Sequence, residues 1–277
     1  MSNPRFIYTN LSKANFYGVD EDPAYPLVNL LSYLPFDQWR SLTSPGELRI
    51  DFGAPARLRD SIVIENHNLG ELGGDGPAVL EAADDEDFTS GVVTVIADLT
   101  TGDNPYYAFF TGVSKRYWRI RHASTIPGDP LEIGQVFLDR RLDFGFPYDF
   151  PANDRNAKFE TAQTTSLDGT RRTSQPFLGR LTWQVSFQEP GLPIETVQWF
   201  QTFFTTVRGK LRPFYFINCD DAIYFVGLTI DQDKSQLYLP ILDKIPPFGM
   251  EEWLANRVDE RPMIWDEDSW DEGKTWG

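Results

Sequence analysis

From Glu47 onward the chain is written in short runs whose apolar residues recur at every second position, and glycine or proline breaks each run. The clearest is Glu47-Leu48-Arg49-Ile50-Asp51-Phe52, where Leu48, Ile50 and Phe52 alternate with charged residues. A period of two places alternate side chains on opposite faces of a strand, so this run predicts a strand with one wet face. The pattern recurs too often for a helical bundle. With 21 Gly and 20 Pro spread along the 277 residues, the chain has the turns that many short strands need. Its 21 Phe, 11 Tyr and 8 Trp suit pleated, half-buried surfaces.

Residues 1 to about 45, punctuated by Pro23, Pro26, Pro35 and Pro45, read as extended segments and loops. Ser61 to Glu65 is a more continuous apolar run and predicts a strand covered on both faces. Further strands are expected at Gly91–Ile96, Tyr106–Phe110, Arg116–Arg121 and Leu131–Leu138. About eight strands in about 140 residues, with no long helical period, predict a jelly roll or sandwich. The aromatic, proline-rich stretch Phe144–Pro151 reads as a connector. Beyond it, Asp168-Gly169 marks a hairpin turn, and Leu181–Phe187, Arg212–Ile217, Ala222–Leu228 and Gln236–Leu239 read as strands.

One helix interrupts them, over about 193–208. Pro193 suits a first turn, Glu195 sits near the positive end of the helix dipole, and Arg208-Gly209 makes a finish. Ile194, Val197, Phe200, Phe204 and Val207 form one stripe, to be packed on a sheet. The division is therefore 1–142 as a sandwich, 143–250 as a smaller β-domain with the helix, and 251–277 as an acidic arm. Trp265, Trp270 and Trp276 are interleaved with acids in that arm, which cannot build a core alone. It is expected to dock on a neighbouring subunit or to fold back on its own chain.

The net charge of −16 at pH 7 repels phosphate backbones and disfavours nucleic acid as a partner. A single cysteine, Cys219, excludes an internal disulfide framework and a thiolate zinc site, and reads as a small core residue. No run of about 18 apolar residues occurs, so no membrane-spanning helix is expected. Met1 to Tyr8 lacks the basic and then apolar pattern of a secretory signal, which points to a protein made in a cytoplasm.

No constellation marks a catalytic centre, and neither an enzyme nor a cofactor is expected. His67 and His122 are the only histidines and lack metal-ligand spacing; both read as residues making structural hydrogen bonds. Gly70 to Gly76 is glycine-rich but lacks the lysine and following helix of a phosphate loop. Asp84-Asp85-Glu86-Asp87 has carboxylates for Ca²⁺, though a solvated loop is the plainer reading.

Two stretches carry resemblance. Trp39-Arg40-Ser41, Glu47–Pro55 and Ile62–Asn68, with Arg116–Arg121 and Leu131–Leu138, resemble the opening and closing strands of the discoidin, or galactose-binding-like, jelly roll. The likeness covers most of residues 1–140. It implies a ligand site in loops at one end of the sandwich, with Trp39, Arg40, His67, Asn68, Tyr106 and Tyr107 as candidates for contacting carbohydrate. Thr182 to Val226, a strand, a helix with Phe203, Phe204 and Gly209, then Pro213-Phe214-Tyr215-Phe216, resembles the tube-like domain of distal and minor tail proteins of long-tailed bacteriophages.

Together they imply a structural virion component of a tail tip or baseplate. It would be assembled in the host cytoplasm as a ring, with a hexamer favoured, contacting tail tube, tape-measure and hub proteins. The sandwich would point outward toward host glycan, and Trp265, Trp270 and Trp276 would contact the next subunit. The alternative is a carbohydrate-binding module protein, accessory to a polysaccharide-degrading enzyme.

Overall fold

The computed structural model describes residues 3–9, 11–34, 37–43, 46–53, 57–72, 76–100, 105–122, 129–143, 156–158, 162–165, 171–174, 180–185, 194–208, 211–218, 221–229 and 248–253. It is mostly β, with one α-helix among the described residues. In chain order the strands of the first part are β1 (Arg5–Ile7), β2 (Trp39–Arg40), β3 (Glu47–Asp51), β4 (Arg59–His67), β5 (Ala78–Ala83), β6 (Val93–Ile96), β7 (Tyr106–Val113), β8 (Tyr117–His122), β9 (Glu132–Asp139) and β10 (Leu142–Asp143). Those of the second part are β11 (Asn156–Lys158), β12 (Ala162–Thr165), β13 (Arg171–Ser174) and β14 (Arg180–Val185), then helix α1 (Ile194–Val207), then β15 (Phe214–Ile217), β16 (Ile223–Leu228) and β17 (Phe248–Glu252).

Two antiparallel four-stranded sheets, ordered β2-β9-β4-β7 and β3-β8-β5-β6, face each other as a jelly roll. Leu48 and Ile50 of β3 reach the core between them, as the alternation predicts, and meet Ile62, Ile64, Leu80, Trp118, Ile120 and Val136. The outward residues of the second sheet form a ladder of charges. Arg116 binds Asp51 at 2.8 Å, and Glu81 takes Arg119 at 2.7 Å and Arg121 at 2.9 Å.

A seven-stranded sheet, ordered β10-β1-β15-β16-β17-β14-β11, forms the next layer, with the hairpin β12-β13 apart from it. One face carries Phe214, Phe216, Val226 and Phe248, and α1 lays Phe200, Phe203, Phe204 and Val207 against them. The other face carries Tyr215, Ile217 and Phe225, which pack on Val63 of β4 and Phe137 of β9. Val63 is thus covered on the side away from the sandwich core, which accounts for the unbroken apolar run read in β4.

The chain's start departs from its sequence assignment to the sandwich. Phe6 of β1 pairs with Phe216 and stacks on Phe203 at 4.7 Å between ring centroids, so the N-terminal strand is an inner member of the seven-stranded sheet, between β10 and β15. Three residues show no alternation long enough to read, and the strands that place them, β10 and β15, lie far along the chain, with Phe6 paired to Leu142 and Phe216. The far end departs too. β17 runs to Glu252, inside the stretch read as an arm, because Met250 is fully buried between β14 and β16. Trp253 follows, its N–H donating to the Phe225 carbonyl at 2.7 Å. Gly227 makes room for it, since a Cβ there would stand 2.9 Å from the indole.

Helix α1 ends at Val207, and Arg208 takes a left-handed conformation with φ +53°. Its N–H donates to the Phe204 carbonyl at 3.0 Å. The connector Phe144–Pro151, the turn Asp168-Gly169, the expected strand Gln236–Leu239, Cys219, Gly209, and Trp265, Trp270 and Trp276 lie outside the described residues.

Candidate functional site

The ends of β4 and β8 and the starts of β3, β5, β7 and β9 gather at the pole of the sandwich away from β10. β2 completes this pole on one edge, with Trp39 paired to Ile133 and Arg40 to Glu132. Alternation decides what each does. Trp39 turns inward and is fully buried in the core, while Arg40 turns outward. The Arg40 guanidinium meets Glu132 at 2.5 Å and lies 4.1 Å over the ring centre of Tyr25. Both groups of the pair stay partly accessible, at 31% and 21% of their side chains, and Tyr25 is 36% exposed. Backbone bonds hold Tyr25 there: Arg40 N–H donates to its carbonyl at 3.2 Å, and Asp22 N–H donates to the Arg40 carbonyl at 2.9 Å.

Asn68 continues the cluster. Its amide donates to the Pro130 carbonyl at 2.8 Å, its side-chain oxygen accepts from Glu132 N–H at 2.9 Å, and its own N–H donates to the Glu132 carbonyl at 3.3 Å. Asn68 therefore fixes the start of β9, and with it the Glu132 carboxylate. Ahead of it, Asn66 takes φ +48°, a conformation Asn tolerates, and its carbonyl accepts from Gln38 at 3.3 Å. His67 accepts the Leu69 N–H on Nδ1 at 3.3 Å and meets Tyr106 edge to face, with ring centroids 6.5 Å apart. Burial pushes the Tyr106 phenol above its ordinary value.

Of the six candidate residues, the structure brings together Arg40, Asn68, His67 and Tyr106 at one pole. Two are corrected. Trp39 cannot offer a ring face to any ligand, because it is fully enclosed in the core. Tyr107 points to the opposite side of its strand, into the layer between the sandwich and the seven-stranded sheet, where its hydroxyl donates to the Asp221 carbonyl at 3.1 Å. Tyr106 is itself buried and backs His67 from behind.

Sequence reasoning missed Tyr25 and Glu132. Glu132 carried a signal, as a charged residue near the start of the run Leu131–Leu138; Tyr25, between Pro23 and Pro26, carried none. The cluster supplies donors on Arg40, acceptors on Glu132 and an aromatic edge on Tyr25, within one partly exposed patch.

The acids of the 84–87 loop turn to local work. Asp84 pairs with Lys115 at 2.6 Å, and Asp85 accepts from the Thr89 and Ser90 N–H groups at 2.7 to 3.1 Å. Among the described residues no three His, Cys, Asp or Glu side chains converge as a metal site.

No family model matches the chain, and no curated protein does. Solved structures do. The chain is similar to chitosan-binding module 1 from a chitosanase/glucanase of Paenibacillus sp. IK-5, at 15% identity over 44% of this chain and 89% of that one, with a TM-score of 0.34. It is similar to the module CBM32-3 from a family 31 glycoside hydrolase of Clostridium perfringens, at 12% identity over 46% and 89%, with a TM-score of 0.34. It is also similar to a mutant of the lectin-binding domain of lectinolysin complexed with Lewis b, at 12% identity over 48% and 98%, with a TM-score of 0.37.

Proposed function

We propose that the sandwich binds carbohydrate at the pole formed by Tyr25, Arg40, Asn68 and Glu132. The observation that carries this reading is the Arg40–Glu132 pair laid across the half-exposed Tyr25 ring. A sugar offers vicinal hydroxyls that both donate and accept, together with an apolar ring face. An ion pair with accessible edges answers the first and a tyrosine answers the second. Asn68 acts as a positioning residue, through the backbone of Glu132.

Titration of the full chain with mono- and oligosaccharides tests it. Binding is expected, with a loss of about tenfold or more on Arg40→Ala and a smaller loss on Tyr25→Ala, since stacking adds about 0.5–1.5 kcal/mol. A blank glycan panel with the folded protein overturns the reading.

A second reading, a tail-tip or baseplate component that forms a ring, is supported by one observation. The strand, helix and strand that carry the likeness to tail proteins, β14, α1 and β15, lie in a single layered unit. In that reading the seven-stranded sheet is the assembling part and the sandwich the decoration, with tail tube, tape-measure and hub proteins as neighbours. Mass photometry and negative-stain electron microscopy test it; rings are expected, and a monomer at every concentration and salt counts against it.

A further inference from the structure

β6 is the outermost strand of its sheet, and among the described residues it pairs with β5 alone. An outer strand leaves every second N–H and C=O of its backbone without a ladder partner. Proteins blunt such edges with lysine, proline or inward-pointing charge. The run Gly91-Val92-Val93-Thr94-Val95-Ile96-Ala97 contains none of these, and what interrupts the edge is its shortness, Val93–Ile96, and a register shift opposite Leu80 and Glu81. It is instead β-branched from Val92 to Ile96, with Val92 42% and Val93 40% exposed. Val95 and Ile96 lean on the sandwich core, as do Ala108, Phe110 and Val113 of β7, the outermost strand of the facing sheet. The free edge thus has a half-buried apolar seam beside it.

The two ends of this edge carry charge of one sign. Asp84, Asp85, Glu86 and Asp87 precede it and Asp98 follows it. Lys115 answers Asp84 alone. Hydrogen bonds from Thr89 hold Asp85 below the usual carboxylate range, and those from the Thr100 hydroxyl and N–H do the same for Asp98, so both stay ionised. A second copy of the chain is a poor occupant. In an antiparallel pair of two β6 edges, the acids before one strand would face Asp98 of the other, and in a parallel pair the two acidic loops would meet. The chain's own acidic end, Asp259 to Glu272, is disfavoured for the same reason.

The geometry points to β6 as a strand-addition site for an extended segment of a partner protein, with small β-branched side chains in the middle and lysine or arginine at both ends. Backbone bonds to the free edge supply affinity, the seam selects small apolar side chains, and the acidic ends select the charge of the flanks. The proposal does not rest on the carbohydrate reading.

The test uses the full-length isotope-labelled protein and a synthetic peptide of alternating valine and threonine between lysine pairs. A glutamate-flanked version and a version with alternate backbone amides N-methylated serve as controls. The lysine peptide is expected to move the amide resonances of Val92 to Ile96 and to bind about tenfold tighter than either control, with affinity falling as salt rises. Val93→Lys is expected to weaken it by about tenfold while leaving the melting temperature unchanged. Asp87→Lys, outside the strand, is expected to weaken the lysine peptide and strengthen the glutamate one. Absence of binding, equal binding of the N-methylated peptide, resonance shifts away from β6 and β7, or a dimer that Val93→Lys dissolves would each overturn the proposal.

Discussion

The two packed regions of this chain are built from different materials. Between the sandwich sheets the buried side chains are mostly aliphatic: Leu48, Ile50, Ile62, Ile64, Leu80, Ile120 and Leu138 surround two tryptophans. Between the seven-stranded sheet and α1 they are mostly rings: Phe6, Trp183, Phe200, Phe203, Phe204, Phe214, Phe216 and Phe248. The aliphatic core draws on eight strands, most supplying two or three residues each. The aromatic core converges on few side chains, and Phe6 touches five other phenylalanines with centroid distances from 4.7 to 6.2 Å. A distributed core spreads a lost side chain over many neighbours. A convergent one concentrates it, and here the convergent residue sits near the start of the chain.

The sharpest way to break this contrast is to delete one side chain from each core. Phe6→Ala is expected to cost about 3–5 kcal/mol, and Ile120→Ala to fall toward the lower part of the about 2–5 kcal/mol range for its type. Hydrogen exchange separates the two. Phe6→Ala should strip protection from β15 and β16 while sparing β3 and β8, and Ile120→Ala should do the reverse. Equal loss of protection in both regions after Phe6→Ala would mean that the two cores are one cooperative unit.

How much could be read from the sequence follows the same division. β3 and β8 were legible because one face is wetter and alternation survives, as in Glu47–Phe52, while β9, buried from Ile133 to Leu138, was read from its resemblance to a closing strand. β5 was not: Ala78–Ala83 is buried along its whole length, so no polar residue marks a second face except Glu81, which is spent on Arg119 and Arg121. β1 and β17 escaped because long-range pairing places them, and Arg5–Ile7 has no local preference to display.

At the candidate site, Arg40 and Asn68 were proposed through strand resemblance, and the structure places both at the same pole. Trp39 was misread because a strand of two residues gives no way to tell the inward face from the outward one. Tyr106 and Tyr107 were taken together although adjacent strand residues face opposite sides, and only the second layer reveals where Tyr107 goes.

The two regions also differ in how they treat a carboxyl taken out of water. On the outer face of the sandwich, Glu81 is almost enclosed, and hydrogen bonds from Arg121 hold its pKa below the ordinary value against the opposing effect of burial. Its folded state binds fewer protons than the unfolded chain, so its contribution to stability is present above the ordinary glutamate range and fades as pH falls below it. Glu81→Gln is expected to cost about 1.5–3 kcal/mol at pH 7, reduced because Arg121 is partly exposed, and less at pH 3. Chemical denaturation at both pH values checks this; a loss that is the same at pH 3 and pH 7 would show that shape rather than charge is what matters.

Glu65 does the opposite, in the layer between the sandwich and the second sheet. It is buried, and Tyr215 donates its phenol proton to the carboxyl from a fully enclosed position. Burial pushes the Glu65 pKa up, the Tyr215 hydrogen bond pulls back only part of that, and the Tyr215 phenol is itself driven far above its ordinary value by burial and by the neighbouring carboxyl. The folded state therefore holds the Glu65 proton after the unfolded chain has released it. Stability from this group is full below the ordinary glutamate value and is lost as pH rises through the displaced one.

Glu65→Gln keeps an acceptor for Tyr215 and removes the ionisation. It is expected to be near neutral at pH 4 and to stabilise by about 1 kcal/mol at pH 8, the smallest change and the one of opposite sign. Denaturation midpoints at the two pH values, with exchange of the β4 and β15 amides, decide it. A destabilised Glu65→Gln at pH 8 would mean that the ionised carboxylate is the form the junction holds, and the two carboxyls would then behave alike.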